Sequence, residues 1–375
     1  MGQGSYLIGG RWVKEARDFP PDPACGAKIV RLSGSSIRTE NIYCDAPRAS
    51  ADGKRFASLR YVDHLLSPTT ALLCHDLTTK WTALIDREVT GVPIGPAWGG
   101  AVYYERGSTL MRAALDSCTT QPALDLAPLP PCWQPMSVSA DERYFVYTTM
   151  QEGPPEAYNL VRVDLRDKSW KLLLDASERS RCGAYFNPVA GHDLIVGKTA
   201  WRGNVRYGIC LLADCDGKNG REIMRDVHHA CWLGNTGKFA GLIEFDYERL
   251  AHKPENPDGE LYIYSCDGTP PRLIPAREHV FYHISSSRCG RYVVCESLES
   301  GLALGPVPIV IVNVESGKHR TLIGDAHCTH GGDAGRQVNA YFTADTRHVI
   351  YNADPDGVVN VYAAEIPQGF LESLG

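Results

Sequence analysis

The chain lacks the short signals that mark the commoner enzyme classes. It has no Gly-x-Ser-x-Gly elbow, so a serine hydrolase would be without its usual nucleophile turn. A phosphate loop and a dinucleotide fingerprint are also absent. Its 13 cysteines include no Cys-x-x-Cys pair, which removes the spacing that a thiolate zinc site needs. The net charge is -6 and no strongly basic stretch occurs, so a groove that tracks nucleic-acid phosphates is not expected. No run approaches the roughly 20 apolar residues of a membrane span. Met1 to Trp12 shows no signal segment. The expectation is a cytoplasmic protein whose cysteines are free thiols. No amphipathic helix longer than a few turns can be traced. Asp and Glu are scattered, so no glycosidase carboxylate pair can be picked out.

What is present is a repeat. The 375 residues, 43% hydrophobic and 22% charged, suffice for a large core. The clearest unit runs from Ser50-Ala51-Asp52-Gly53-Lys54-Arg55-Phe56 through Leu72–Leu77 to Trp81–Ile85. Asp-Gly makes the turn because glycine takes positive φ cheaply. The alternation that follows would bury one face of each strand. Further copies open at Trp98, Ser139, Gly191, Asn235, Arg288 and Ala344. About seven units at a spacing of roughly 40–55 residues imply propeller blades, sheets that cannot bury their faces alone. The last unit is short of a strand, and Gly26–Leu32 is a strand without a unit. It is expected to complete the last blade and close the ring. The reading is an all-β, seven-bladed β-propeller forming a single domain over residues 1–375. Its Asp-Gly-Lys/Arg turns resemble those of TolB-like propellers, and the regular Gly-His and Trp-Asp signatures of WD repeats are missing.

Of the 12 histidines, His228, His229, His283, His327 and His330 fall just before or between units. Such segments reach the axial face of a propeller, where loops converge and ligands bind. Imidazole with amide or carboxylate oxygen suits Mn²⁺, Zn²⁺ or another first-row divalent ion. Gln337 and Asn339 lie two apart, on one side of an extended strand. Arg206 is either a carboxylate clamp or an ordinary surface arginine. Trp201 and Trp232 either stack on sugar rings or pack between blades.

These residues together resemble the oligogalacturonate lyases, propellers that cleave pectin-derived oligouronides. The resemblance rests on Gly10–Asp18, Cys25–Ser33, Asn41-Ile42-Tyr43, Ser50–Lys54, His229-x-x-Trp232, His283-x-x-x-Ser287 and the stretch from Gln337 to Tyr362. It implies a manganese ion held at the axial face through His and Gln side chains, with His283 as one ligand. It implies His229 as general base or its near neighbour, and Arg206 as its partner at the substrate carboxylate. One departure stands out. Where the family carries a His-Pro-His-Pro-like stretch, this chain has Gln337-Val338-Asn339-Ala340, so two expected imidazoles become amides. His327 or His330 is the candidate replacement.

The expected activity is metal-assisted β-elimination on an oligouronide. His229 and Arg206 would be catalytic, and His283, Gln337, Asn339 and His330 would be metal ligands. His228, Trp201, Trp232 and His327 would bind substrate. The alternatives are another sugar enzyme on the same face, such as a hydrolase or epimerase, and a non-catalytic binding propeller.

Overall fold

The repeat begins with its turn. Ser50 Oγ donates to Asp52 Oδ1 (2.6 Å), the Ser50 N–H pairs with Arg55 O, and Gly53 takes φ 73°. Ser139 and Asp141 make the same contact at 2.7 Å with Glu142 at φ 56°. Thr343 and Asp345 repeat it at 2.7 Å with Thr346 at φ 56°. In each case the left-handed residue swings the chain back, and the hydroxyl and carboxylate absorb turn N–H groups. Each turn therefore joins the first strand of a unit to the second.

A computed structural model describes residues 12–34, 36–61, 70–151, 157–174, 182–189, 192–202, 205–225, 227–243, 260–276, 278–298, 305–329 and 337–375. Within them the strands form antiparallel meanders. Four sheets are simple: Gln134–Val138 to Trp170–Leu174, Cys182–Phe186 to Arg221–Arg225, Val227–Trp232 to Arg272–Leu273, and Phe281–Ser286 to His319–Ile323. Each has four strands in chain order. An eight-stranded sheet precedes them. In it the long strand Trp81–Ile94 serves both as the fourth strand of the first unit, with Trp12–Val13 paired to its outer edge, and as the innermost of the second, with a break in pairing between Thr90 and Ile94. Counted so, each of the expected repeat units falls on one sheet layer.

The last sheet contains Tyr341–Phe342, His348–Ala353 and Asn360–Glu365, and the N-terminal strands complete it. Lys28–Arg31 pairs with Asn360–Glu365 in the register Arg31↔Tyr362 and Lys28↔Glu365, and Arg17–Phe19 adds an edge. The expected closure by the N-terminal strand is therefore present.

Burial departs from simple alternation. Phe281–Ser286, Tyr292–Ser297 and Ile309–Asn313 are buried at every position. Each sheet is covered by a neighbour on both faces, so both sides of the pleat are apolar. The core is accordingly a series of slabs between units. One slab joins Cys231, Leu242 and Ile263 to Phe281, Cys295 and Val310. No α-helix forms among the described residues, none of which lies in a helix long and apolar enough to cross a membrane. Twelve of the cysteines are free thiols.

Candidate active site at the axial channel

His229 and His283 are each the third residue of an innermost strand, Val227–Trp232 and Phe281–Ser286, in adjacent units. Both strands lose register at the histidine: pairing slips between Val227 and His229, and between Phe281 and Ile284. Such bulges re-aim a side chain that regular pleating would send elsewhere. The two imidazole centroids lie 4.5 Å apart. Tyr282 packs edge-on against His283 at 4.4 Å, and Tyr43 does so from the first unit at 5.4 Å. The Tyr43 hydroxyl is 3.3 Å from His229 Nδ1. Burial pushes that phenol well above its usual pKa, so it stays protonated at neutral pH.

His283 Nδ1 contacts Glu296 Oε1, and both side chains are buried, at 2% and 0% exposure. Glu296 Oε2 also accepts the Asn339 N–H at 3.0 Å. A carboxylate on Nδ1 fixes the ring and leaves Nε2 as the available nitrogen. The segment at Gln337 is tied in from the first unit and from the second strand of its own unit. Asn41 Nδ2 donates to Asn339 O (2.8 Å), Asn352 Nδ2 donates to Gln337 O (3.1 Å), and the Asn41 N–H donates to Asn352 Oδ1 (2.7 Å). Gln337 and Asn339 do not share one side of a strand, as the sequence suggested. The strand begins only at Tyr341, and Asn339 is left-handed at φ 48°. That conformation turns its N–H onto Glu296. Asn339 is buried and Gln337 half-buried.

A deeper layer of the channel holds Asp45, Arg48, Tyr185 and Tyr341. Burial pushes Asp45 up to about 6, against the Tyr185 hydrogen bond and the nearby His283 and Arg48. Burial likewise lowers the Arg48 pKa, and its Nε and Nη1 have no protein partner. Beyond Asp45 and Tyr185, bounded by Trp98, Ser285 and Trp232, lies a cavity of about 20 Å³, room for roughly one water.

The other sequence candidates divide three ways. His330 lies outside the described residues. Arg206 and Trp201 are register partners on the second and third strands of the fourth unit, so Arg206 opens the third strand from the axis, not the innermost. His228 precedes His229 on its strand. Nothing further is described of these three side chains. His327 is 67% exposed, and its Nδ1 is 3.0 Å from Asp325 Oδ2, which places it on the surface with a local partner. Trp232 is buried. Its indole N–H donates to Tyr185 O (2.9 Å) and its ring meets Phe239, so it packs between the fourth and fifth units and is not offered to a sugar.

Sequence reading missed Tyr43, Tyr282 and Glu296 as site residues. Glu296 did leave a signal. It sits in Tyr292-Val293-Val294-Cys295-Glu296, an apolar strand where an acid is out of place unless partnered.

The donor types here, imidazole with amide oxygen, are those of a first-row divalent ion. One imidazole has its second nitrogen held by a carboxylate, another imidazole stands beside it, and amide oxygens of Gln337 and Asn339 are close along the chain. Among the described His, Cys, Asp and Glu residues, a group of three within ligand reach of one another occurs elsewhere, at Glu278, His279 and His319.

No family model matches the chain, and neither does any curated protein. Solved structures do. An oligogalacturonate lyase in complex with manganese is similar at TM-score 0.75 and 16% identity, over 97% of this chain and 100% of that one. The oligogalacturonate lyase of Vibrio parahaemolyticus is similar at TM-score 0.75 and 15% identity, over 96% of this chain and 99% of that one. The β-propeller domain of the Trilobed protease from Pyrococcus furiosus gives TM-score 0.58 and 11% identity, over 87% and 96%. At these identities the likeness establishes a β-propeller fold and nothing finer.

Proposed function

We propose that this protein is a lyase that cleaves oligosaccharides of uronic acids by β-elimination, as a divergent relative of the oligogalacturonate lyases. The observation that carries the reading is the pairing of His229 with His283, backed by Glu296, near the start of the innermost strands of two adjacent units. The end-to-end likeness to an oligogalacturonate lyase that binds manganese supports it. The substrate would be an oligouronide.

The C5 proton of a uronate is only weakly acidic beside an ionised carboxylate. His229 would take it. In the tautomer this role requires, Nδ1–H would donate to the Tyr43 oxygen and Nε2 would act as the base. Arg206 would hold the substrate carboxylate as a bidentate clamp. His283, oriented by Glu296, would hold a divalent ion together with Gln337, Asn339 and His330. Such an ion, when bound, supplies positive charge where the enolate-like charge develops. Oxygen 4 then departs with the electron pair of its bond to C4, leaving an unsaturated uronide. Buried Tyr282 excludes water from the His283 side of the site.

The test is ultraviolet absorbance of the unsaturated product on a panel of oligouronides, with and without Mn²⁺, alongside metal analysis of the purified protein. A metal-dependent rise is expected, falling by about 10²–10⁴-fold in His229→Ala. Full activity in that variant would remove His229 from the role of base. A flat trace on every uronide, with no bound metal, would favour a binding propeller.

A further inference from the structure

The seam between the fifth and sixth units holds a cluster that the axial site does not use. The connection from Arg272–Leu273 to Phe281–Ser286 carries Glu278 and His279, and His319 opens the outermost strand of the sixth unit. The three residues offer one donor atom each, all within 4.8 Å of one another. His319 Nε2 lies 2.5 Å from Glu278 Oε1, and its Nδ1 lies 3.4 Å from the Gly317 carbonyl oxygen.

The carbonyl can only accept, so a neutral ring places its N–H on Nδ1, and its Nε2 lone pair then faces the carboxylate. Two acceptors that close need a cation between them, either a proton or a metal ion. A proton satisfies one nitrogen and one oxygen. Here a second imidazole converges as well. His279 stands perpendicular to His319 at 5.3 Å and is seated on Phe281 at 5.5 Å. The side chains are unequally buried, 17% exposed for His319 and 60% for Glu278, so one side of the cluster is open to solvent.

We propose that Glu278, His279 and His319 form a binding site for a late first-row divalent cation of the Zn²⁺ class, separate from the axial channel. Two imidazoles and one carboxylate are the three-ligand set of open zinc sites, with water in the fourth position. Nitrogen donors rank Zn²⁺ above Mn²⁺. With bonds of about 2.0–2.2 Å in tetrahedral geometry, ligand atoms around such an ion stand about 3.3–3.6 Å apart. To take an ion, the 2.5 Å contact between His319 Nε2 and Glu278 Oε1 has to open by about 1 Å, which the exposed Glu278 side chain is free to do. The bound ion would fasten the inter-unit connection to the outer strand. Because the unfolded chain does not bring these residues together, it would stabilise the folded state.

The full chain, stripped with a chelator, is titrated with Zn²⁺ by calorimetry and melted with and without the ion. His319→Ala and His279→Ala are each expected to weaken one Zn²⁺ site by at least about tenfold, and to abolish the Zn²⁺-dependent rise in melting temperature. Glu278→Gln, at an exposed position, serves as a third variant should either histidine change disturb folding, judged by circular dichroism without metal. His283→Ala keeps this site, since it alters only the axial channel, so failure here is distinct from failure of the lyase reading. Absence of Zn²⁺ binding in the parent protein, or equal binding in the parent and all three variants, overturns the proposal.

Discussion

The two ends of the central channel are made by the same repeat, yet they settle their polar groups differently. Where the innermost strands turn into the second strands, satisfaction is local. Ser50 meets Asp52, Ser139 meets Asp141 and Thr343 meets Asp345, each within two residues. Where the innermost strands begin, satisfaction is distant. Glu296 of the sixth unit serves His283 and Asn339, Asn41 of the first reaches Asn339, and Tyr43 reaches His229 of the fifth. These turn pairs can form unit by unit, while a few bonds such as Arg288 Nη1 to Ala51 O tie turns of different units together afterwards. The histidine end exists only once the ring is assembled, and it is the end that breaks the repeat. The candidate site lies where the repeat stops prescribing residues.

The contrast is tested most severely at Glu296. Glu296→Ala leaves the His283 ring and the Asn339 N–H without an acceptor in a buried layer. The expected loss is about 3–5 kcal/mol in denaturant unfolding, because one partner of a buried pair is stranded. Glu296→Gln keeps an acceptor oxygen and is expected to lose less. Losses no larger than those of exposed substitutions would mean that the long-range network does not hold this end together.

A middle-sized effect is expected at Asp45. Burial raises its pKa to about 6 in the folded state, above the roughly 3.9 of an exposed aspartate. The folded chain then binds this proton more tightly than the unfolded chain. The stabilisation is complete below about pH 4 and is lost as pH rises through about 6. Asp45→Asn should therefore flatten the stability profile across that window. A profile parallel to the parent's would take Asp45 out of the buried layer.

The smallest effect belongs to the turn end. Thr346 is β-branched yet holds the left-handed conformation that Gly53 holds in the first unit, at φ 56° and 73°. Thr346→Gly is expected to stabilise by at most about 1 kcal/mol, the relief of strain offset by glycine's entropy. Thermal melts would show it. A clear destabilisation would mean that the Thr346 side chain matters more than its backbone angle.

The fold was readable because turn chemistry is local. Ser-x-Asp-Gly followed by alternating residues names its own structure, and the orphan strand Lys28–Arg31 pointed to its vacancy in the last sheet. The site was readable only in part. His229 and His283 could be chosen because they stand at equivalent places in successive units, and they do lie side by side. Glu296 and Tyr43 could not, since nothing along the chain says that a second strand and a first-unit loop meet at one axis. Asn339 misled for the opposite reason. Period-two reasoning assumes an extended backbone, and Asn339 is instead left-handed, with its N–H donated to Glu296. Trp232 shows the limit of composition. An aromatic beside a channel suits sugar stacking or packing equally, and only the bond to Tyr185 decides.

The pairing of Lys28–Arg31 with Asn360–Glu365 also constrains how the molecule is born. The strand Lys28–Arg31 finds its partner only after more than 300 further residues have been added. At about 5–20 residues per second, that is a wait of roughly 15–65 s on the ribosome. Through that interval Asn41 lacks its partners at Asn339 and Asn352. The histidine end is thus the last part of the protein to mature, and any residue exchange that weakens the clasp delays competence before it lowers stability.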